Sequence, residues 1–142
     1  MKKYSALILV TILTFFITQF NLESSAAEGE ITPGGSGFNI ARLVIAGSVE
    51  DLEPVGAVNA FSSSTEKVYC FLEAKDIVED TEIALLWYHE GTNKAVVKLT
   101  LRKGSRWRTY SSKKLGGLTG AWTVELQAND GNVLETVAFT VE

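Results

Sequence analysis

The chain has 142 residues, 46% of them hydrophobic, with two prolines and a formal net charge of −4. That apolar content excludes disorder throughout, and the negative balance disfavours a general binder of nucleic acid or anionic membrane. A single cysteine, Cys70, excludes an intrachain disulfide, and a single histidine, His89, leaves any zinc site far short of ligands.

Residues 1–27 read as an export signal. Lys2 and Lys3 give a positive start, an apolar run follows from Ala6 to Ile17, and Ser25-Ala26-Ala27 supplies small residues for a peptidase. The expected mature chain begins after about Ala27 and is periplasmic. The stretch from Tyr4 to Phe20 barely reaches bilayer length and contains Thr11, Thr14, Thr18 and Gln19, so membrane attachment is expected only if the signal is retained. No cysteine follows the apolar run, which argues against lipidation. Without the signal, 11 basic and 16 acidic residues remain in about 115 positions, enough for one domain.

Residues 28–37, with Pro33, Gly34, Gly35 and Gly37, have too little apolar surface to pack and read as a flexible linker. A single domain is expected over 38–142. Phe38 to Ala46 is a first strand, Glu50 to Gly56 a loop around Pro54, and Lys67 to Ala74 a second strand. Thr81 to His89 is apolar on both parities, which predicts a strand covered on both sides. Lys94 to Leu101 alternates as a half-exposed strand, and Arg106 to Ser111 is a shorter one. Ala121 to Ala128 turns Trp122, Val124 and Leu126 inward. Asn129-Asp130-Gly131 is a hairpin turn, because these residues tolerate positive φ, and it leads to a last strand burying Val137, Phe139 and Val141.

Regular turn signals and no convincing helix beyond the signal predict an all-β, immunoglobulin-like antiparallel sandwich of about seven strands. A six- or seven-stranded barrel is the rival. Trp87, Trp122 and Phe139 are the expected core anchors, since each aromatic side chain removes a large area from water.

Glu53-Pro54, Val68-Tyr69-Cys70-Phe71, Trp87-Tyr88, Gly91, Arg106-Trp107-Arg108 and Ser111-Ser112-Lys113 form an ordered series. Gly120-x-Trp122-x-Val124, Asp130-Gly131, Leu134 and Phe139 complete it. By these residues the segment from Ala41 to Glu142 resembles the bacterial family of domain of unknown function 2914. The resemblance implies an exported or membrane-associated β domain and carries over no activity. That family often has a polar residue, frequently His, two positions before the central Trp; here the position is Leu85.

Lys98, Arg102, Lys103, Arg106, Arg108, Lys113 and Lys114 are seven of the 11 basic residues left after the signal, and no Asp or Glu lies between Glu90 and Glu125. On paired strands Lys98 and Arg106 or Arg108 would share a face. That makes one positive patch for an envelope protein, or for an anionic glycan or lipid. The competing reading is a solvated face whose cations discourage aggregation. Trp107 points away from its two arginine neighbours, either into the core or, with Tyr88 and Tyr110, as an exposed platform for a sugar ring.

Cys70 sits in an apolar strand and reads as a small buried hydrophobe; a Cys70–His89 nucleophilic pair requires it exposed beside His89. The acids at Glu50-Asp51 and from Asp76 to Glu82 lie in turn-like stretches. A glycosidase pair or a calcium site there requires convergence that sequence does not supply. No serine elbow, phosphate-cradling loop or dinucleotide fingerprint occurs. The expectation is a non-catalytic envelope binding or structural module without cofactor or metal.

Overall fold

The computed structural model describes residues 36–142; the expected signal, and all of the expected linker before Ser36, lie outside them. Among the described residues there are nine strands and no helix. They are β1 (Asn39–Glu50), β2 (Glu53–Ala57), β3 (Ala60–Phe61), β4 (Lys67–Ile77), β5 (Thr81–His89), β6 (Thr92–Leu101), β7 (Gly104–Lys114), β8 (Gly120–Ala128) and β9 (Val133–Val141).

The strands make two sheets, ordered β2-β1-β4-β7 and β3-β9-β8-β5-β6. All pairings are antiparallel except β3 with β9. The set β1-β4-β7 facing β6-β5-β8-β9 is the Greek-key arrangement of an immunoglobulin-like sandwich, and no barrel closes. The two strands beyond seven are β2 and β3. β2 corrects the loop expected over Glu50 to Gly56: Asp51 and Leu52 form a tight turn and the chain returns along β1. Pro54 is compatible because β2 is an edge, where a missing N–H costs no ladder bond.

Between the sheets lie Leu43, Ile45, Val68, Cys70 and Leu72 from one layer and Ile83, Leu85, Val124 and Leu126 from the other. Trp87, Trp122 and Phe139 are each at most 2% exposed. Trp122 stacks on Phe139 with centroids 5.9 Å apart, and Trp87 meets Phe139 edge-on at 6.4 Å. Rings of this size each contribute about 2–3 kcal/mol by leaving water. β5 is covered on one side only. Its Ile83, Leu85 and Trp87 are buried while Ala84, Leu86 and Tyr88 are half-exposed, because nothing packs over the outer face of that sheet among the described residues. Ala84 and Leu86 floor a shallow open groove of about 220 Å³ there, rimmed by Glu82, Lys98 and Gln127.

Register irregularities decide which side chains face outward. In β1 the pairing shifts between Ile40, opposite Ala74, and Arg42, opposite Glu73. The extra residue resets the alternation: Ile40 packs on the core, while Arg42 is carried to the outer face.

Candidate partner-binding surface

The outer face of the four-stranded sheet holds the densest charge among the described residues. Arg42 on β1 forks onto Glu53 of β2, with Nη1 to Oε2 at 3.0 Å and Nη2 to Oε1 at 3.1 Å. Its Nη2 also reaches Glu73 Oε2 on β4 at 3.3 Å, and its guanidinium lies 4.9 Å from the centre of the Phe71 ring. From β7, Arg106 Nε donates to Glu73 Oε2 at 2.5 Å and Arg108 Nη1 donates to Glu53 Oε1 at 2.6 Å.

Glu73 is only 5% exposed, and a buried carboxylate persists where charge-assisted hydrogen bonds answer it. Burial alone raises its pKa, but the bonds from Arg42 and Arg106 prevail and hold it below the ordinary value. Glu53 is held down to about 2, first by the Arg42 hydrogen bonds and then by that of Arg108.

Three arginines on two glutamates make a nearly neutralised staple across the sheet, and this corrects the single basic patch. Lys98 is on β6 of the other sheet, so it shares no face with Arg106 or Arg108; it pairs instead with Glu82 at 3.7 Å. Arg102 meets Asp80 at 2.9 Å, and Asp80 also accepts from the Lys103 backbone N–H at 2.8 Å. Lys98, Arg102, Arg106 and Arg108 of the run empty of acids are thus answered by acids from β2, β4, the β4–β5 turn and β5.

The aromatic platform is not assembled either. Tyr88 belongs to the five-stranded sheet, while Trp107 and Tyr110 fall on opposite parities of β7. Trp107 is directly opposite buried Ala74, so it takes the core-side face. It is nonetheless 37% exposed, because β7 is an edge strand and the core ends there.

Lys113 and Lys114 stand at the far end of β7. Lys114 is opposed across the ladder by Lys67, followed by Ser112 opposite Tyr69 and Tyr110 opposite Phe71. Lys67 Nζ lies 5.2 Å from the centre of the Tyr69 ring, and Tyr69 meets Tyr110 edge-on at 5.8 Å. Among the described residues Lys67, Lys113 and Lys114 take part in no ion pair. Like charges placed directly opposite on neighbouring strands repel. Lys75 and Arg106 are opposed in the same way, but Arg106 is drawn off to Glu73. The end of the sheet bearing Lys67 and Lys114 is thus a cationic, aromatic surface without ion pairs among the described residues, although Tyr69 and, less, Glu66 favour the charged form of Lys67.

Arg42, Glu53, Glu73, Lys67 and Tyr69 were not among the candidate site residues of the sequence; Glu53 and Tyr69 entered only through the family resemblance. Arg42 and Glu73 carried a usable signal, since a charge within an apolar strand implies a partner.

The remaining sequence candidates are engaged elsewhere. Cys70 has no exposed surface, and burial, with a smaller contribution from Glu135, pushes its thiol up to about 12. His89 lies against Trp122 with ring centroids 4.8 Å apart and planes tilted by 46°, and its Nε2 lies 2.7 Å from the Thr119 carbonyl. Asp76 accepts from Asn39 at 3.1 Å. Among the described residues no three His, Cys, Asp or Glu side chains converge as a metal site.

Residues 80–141, which hold β5 to β9, match the model of the family described as protein of unknown function DUF2914. This stretch is DUF2914-like. Of the series quoted above, Glu53-Pro54 and Val68 to Phe71 lie outside the matched residues; Trp87-Tyr88 and everything after lie within. No curated protein matches the chain. A β-glucosidase from Erythrobacter marinus superposes with a TM-score of 0.50 at 6% identity, over 74% of this chain and 15% of that one. A β-glucosidase from Listeria innocua, in a complex with laminaribiose, gives 0.47 at 12% identity, over 74% and 16%. The first is a likeness of fold alone and the second supports nothing further. The chain spans about one sixth of the length of these enzymes.

Proposed function

We propose that this DUF2914-like chain is an exported, non-catalytic interaction module of the cell envelope, meeting an acidic partner protein at the Lys114 end of the four-stranded sheet. Export to the periplasm rests on Lys2, Lys3, the apolar run and Ser25-Ala26-Ala27. A non-catalytic role is supported by the state of the chemical groups. Cys70 is a buried thiol held protonated, His89 is spent on Trp122 and Thr119, and Asp80 and Glu82 answer cations of their own chain.

The observation that carries the reading is the Lys67–Lys114 opposition, in which neither lysine makes an ion pair among the described residues and Glu66 acts on Lys67 only as a minor influence. Cations held against one another gain from an external anion, and Tyr69 and Tyr110 add the rigid amphipathic area that protein interfaces favour. Arg106 and Arg108 are poor test positions, because reversing them breaks the staple on Glu53 and Glu73. In cells, crosslinking to the chain carrying K67E and K114E is expected to lose the partner recovered with the unsubstituted chain. Equal recovery overturns the reading.

A further inference from the structure

Every residue of an inner strand has its backbone donor and acceptor used by neighbours, but an edge strand leaves one row open. Natural edges are commonly short or interrupted. β2 has five residues and a proline, and β3 has two. β7 has eleven, roughly 35 Å of extended chain. It pairs with β4 on one side, and no strand pairs with its other side among the described residues. β6 is the other long edge, but its Lys98 is already matched by Glu82.

What can lie against β7 is set by charge. A second copy brings the same edge, which carries no carboxylate, so antiparallel self-pairing leaves Lys113 and Lys114 unanswered. An acidic strand meets the opposite situation. Lys114 faces the outer side with Lys67 behind it, and Lys113 has the other parity, its Nζ turned back 3.1 Å from the Lys114 carbonyl. Alternation in an added strand therefore offers a carboxylate to each side.

We propose that β7 accepts an extended acidic segment of the partner protein as a fifth strand of its sheet, bound by main-chain hydrogen bonds and by carboxylates answering Lys113, Lys114 and Lys67. This rests on the proposed function and adds the mode of binding.

The probe is a ten-residue peptide of repeating Thr-Glu-Glu-Val with blocked ends, which puts carboxylates on both faces of an extended strand, added to the full chain and followed by amide exchange and titration. Binding is expected to slow alternate β7 amides between Arg106 and Lys114 at least tenfold. K67E with K114E is expected to weaken it at least tenfold, K94E on β6 to leave it unchanged, and a Lys-for-Glu peptide not to bind. Unchanged thermal unfolding of each variant assures a folded comparison. A peptide N-methylated at alternate residues removes main-chain donors while keeping the charges. If it binds equally well with β7 exchange unaltered, strand addition is overturned while the surface reading stands. Failure of the peptide to bind the unsubstituted chain overturns the inference too. So does β7 protection that arises only by self-association, or binding to anionic vesicles that the peptide does not compete away. Crosslinking that still depends on Lys67 and Lys114 separates these failures from failure of the proposed function.

Discussion

Glu53 and Arg108 stand on the two outermost strands of one sheet and are hydrogen bonded at 2.6 Å across the two strands between them. Glu53 also takes the Arg42 fork, and Glu73 takes Arg42 and Arg106, so four strands are tied through two carboxylates. Such a staple acts on the edges, where a sheet frays first.

Glu73 is the least exposed member, and its removal strands Arg42 and Arg106 together. Glu73→Gln is expected to cost on the order of 2 kcal/mol, the range for hydrogen bonds to charged groups. The measurement is the urea midpoint, with a Glu73/Arg106 double-mutant cycle to isolate the pair. Additive effects within a few tenths of a kcal/mol contradict direct coupling.

Acid should test the same carboxylates. Glu53, at about 2, and Glu73 are both held below the ordinary 4.5, so the unfolded chain binds more protons than the folded one. Their contribution is complete above about pH 4.5 and is lost as pH falls toward 2. Glu135 has the opposite sign: its side chain is exposed, but partial desolvation still raises its pKa, so ionisation near neutrality opposes folding. Glu135→Gln is expected to raise the unfolding midpoint at pH 7 and to change it little at pH 3. Equal effects at both pH values contradict the desolvation argument.

The β1–β2 turn is built on the wrong residue for its geometry. Asp51 and Leu52 have φ of 50° and 57°, the pair of left-handed conformations for which Asn-Gly or Asp-Gly is preferred. Leu52 is also 45% exposed, so little packing offsets the strain. Leu52→Gly is expected to stabilise by about 1 kcal/mol, read as a rise in Tm of several degrees. A fall in Tm contradicts it.

The two core indoles differ in one bond. Trp122 Nε1 donates to the Leu118 carbonyl at 3.1 Å, whereas Trp87 Nε1 is buried without a partner among the described residues. Phenylalanine at 122 abandons that hydrogen bond and orphans a carbonyl, while phenylalanine at 87 removes a donor that had none. Trp122→Phe is therefore expected to be the more destabilising by about 1 kcal/mol in chemical denaturation. Equal losses contradict this accounting.

Alternation read the strands well where one face meets water. Trp122, Val124 and Leu126 against Thr123, Glu125 and Gln127 needs only a period of two. It failed at β2, where Pro54 and flanking acids mimic a loop because an edge strand makes few demands on composition. It failed also for the charges. Sequence distance separates Arg106 and Arg108 from Glu53 and Glu73 by more than thirty residues, and only the β4–β7 and β1–β4 registers bring them together. Arg102 and Asp80, one on each side of the β5–β6 hairpin, are a milder case of the same blindness. Trp107 misled because alternation gives a side of the sheet but not where the opposing layer stops.

The one-residue offset in β1 fixes more than a local kink. With it, Ile40 enters the interior and Arg42 reaches Glu53; Ala41 is the residue in excess, so its deletion leaves Ile40 opposite Ala74 and Arg42 opposite Glu73 in an unbroken ladder, whereas a deletion elsewhere in the strand slips the register. Ala41 is therefore the one position of this strand where shortening the chain by a residue spares the sorting of side chains between interior and surface.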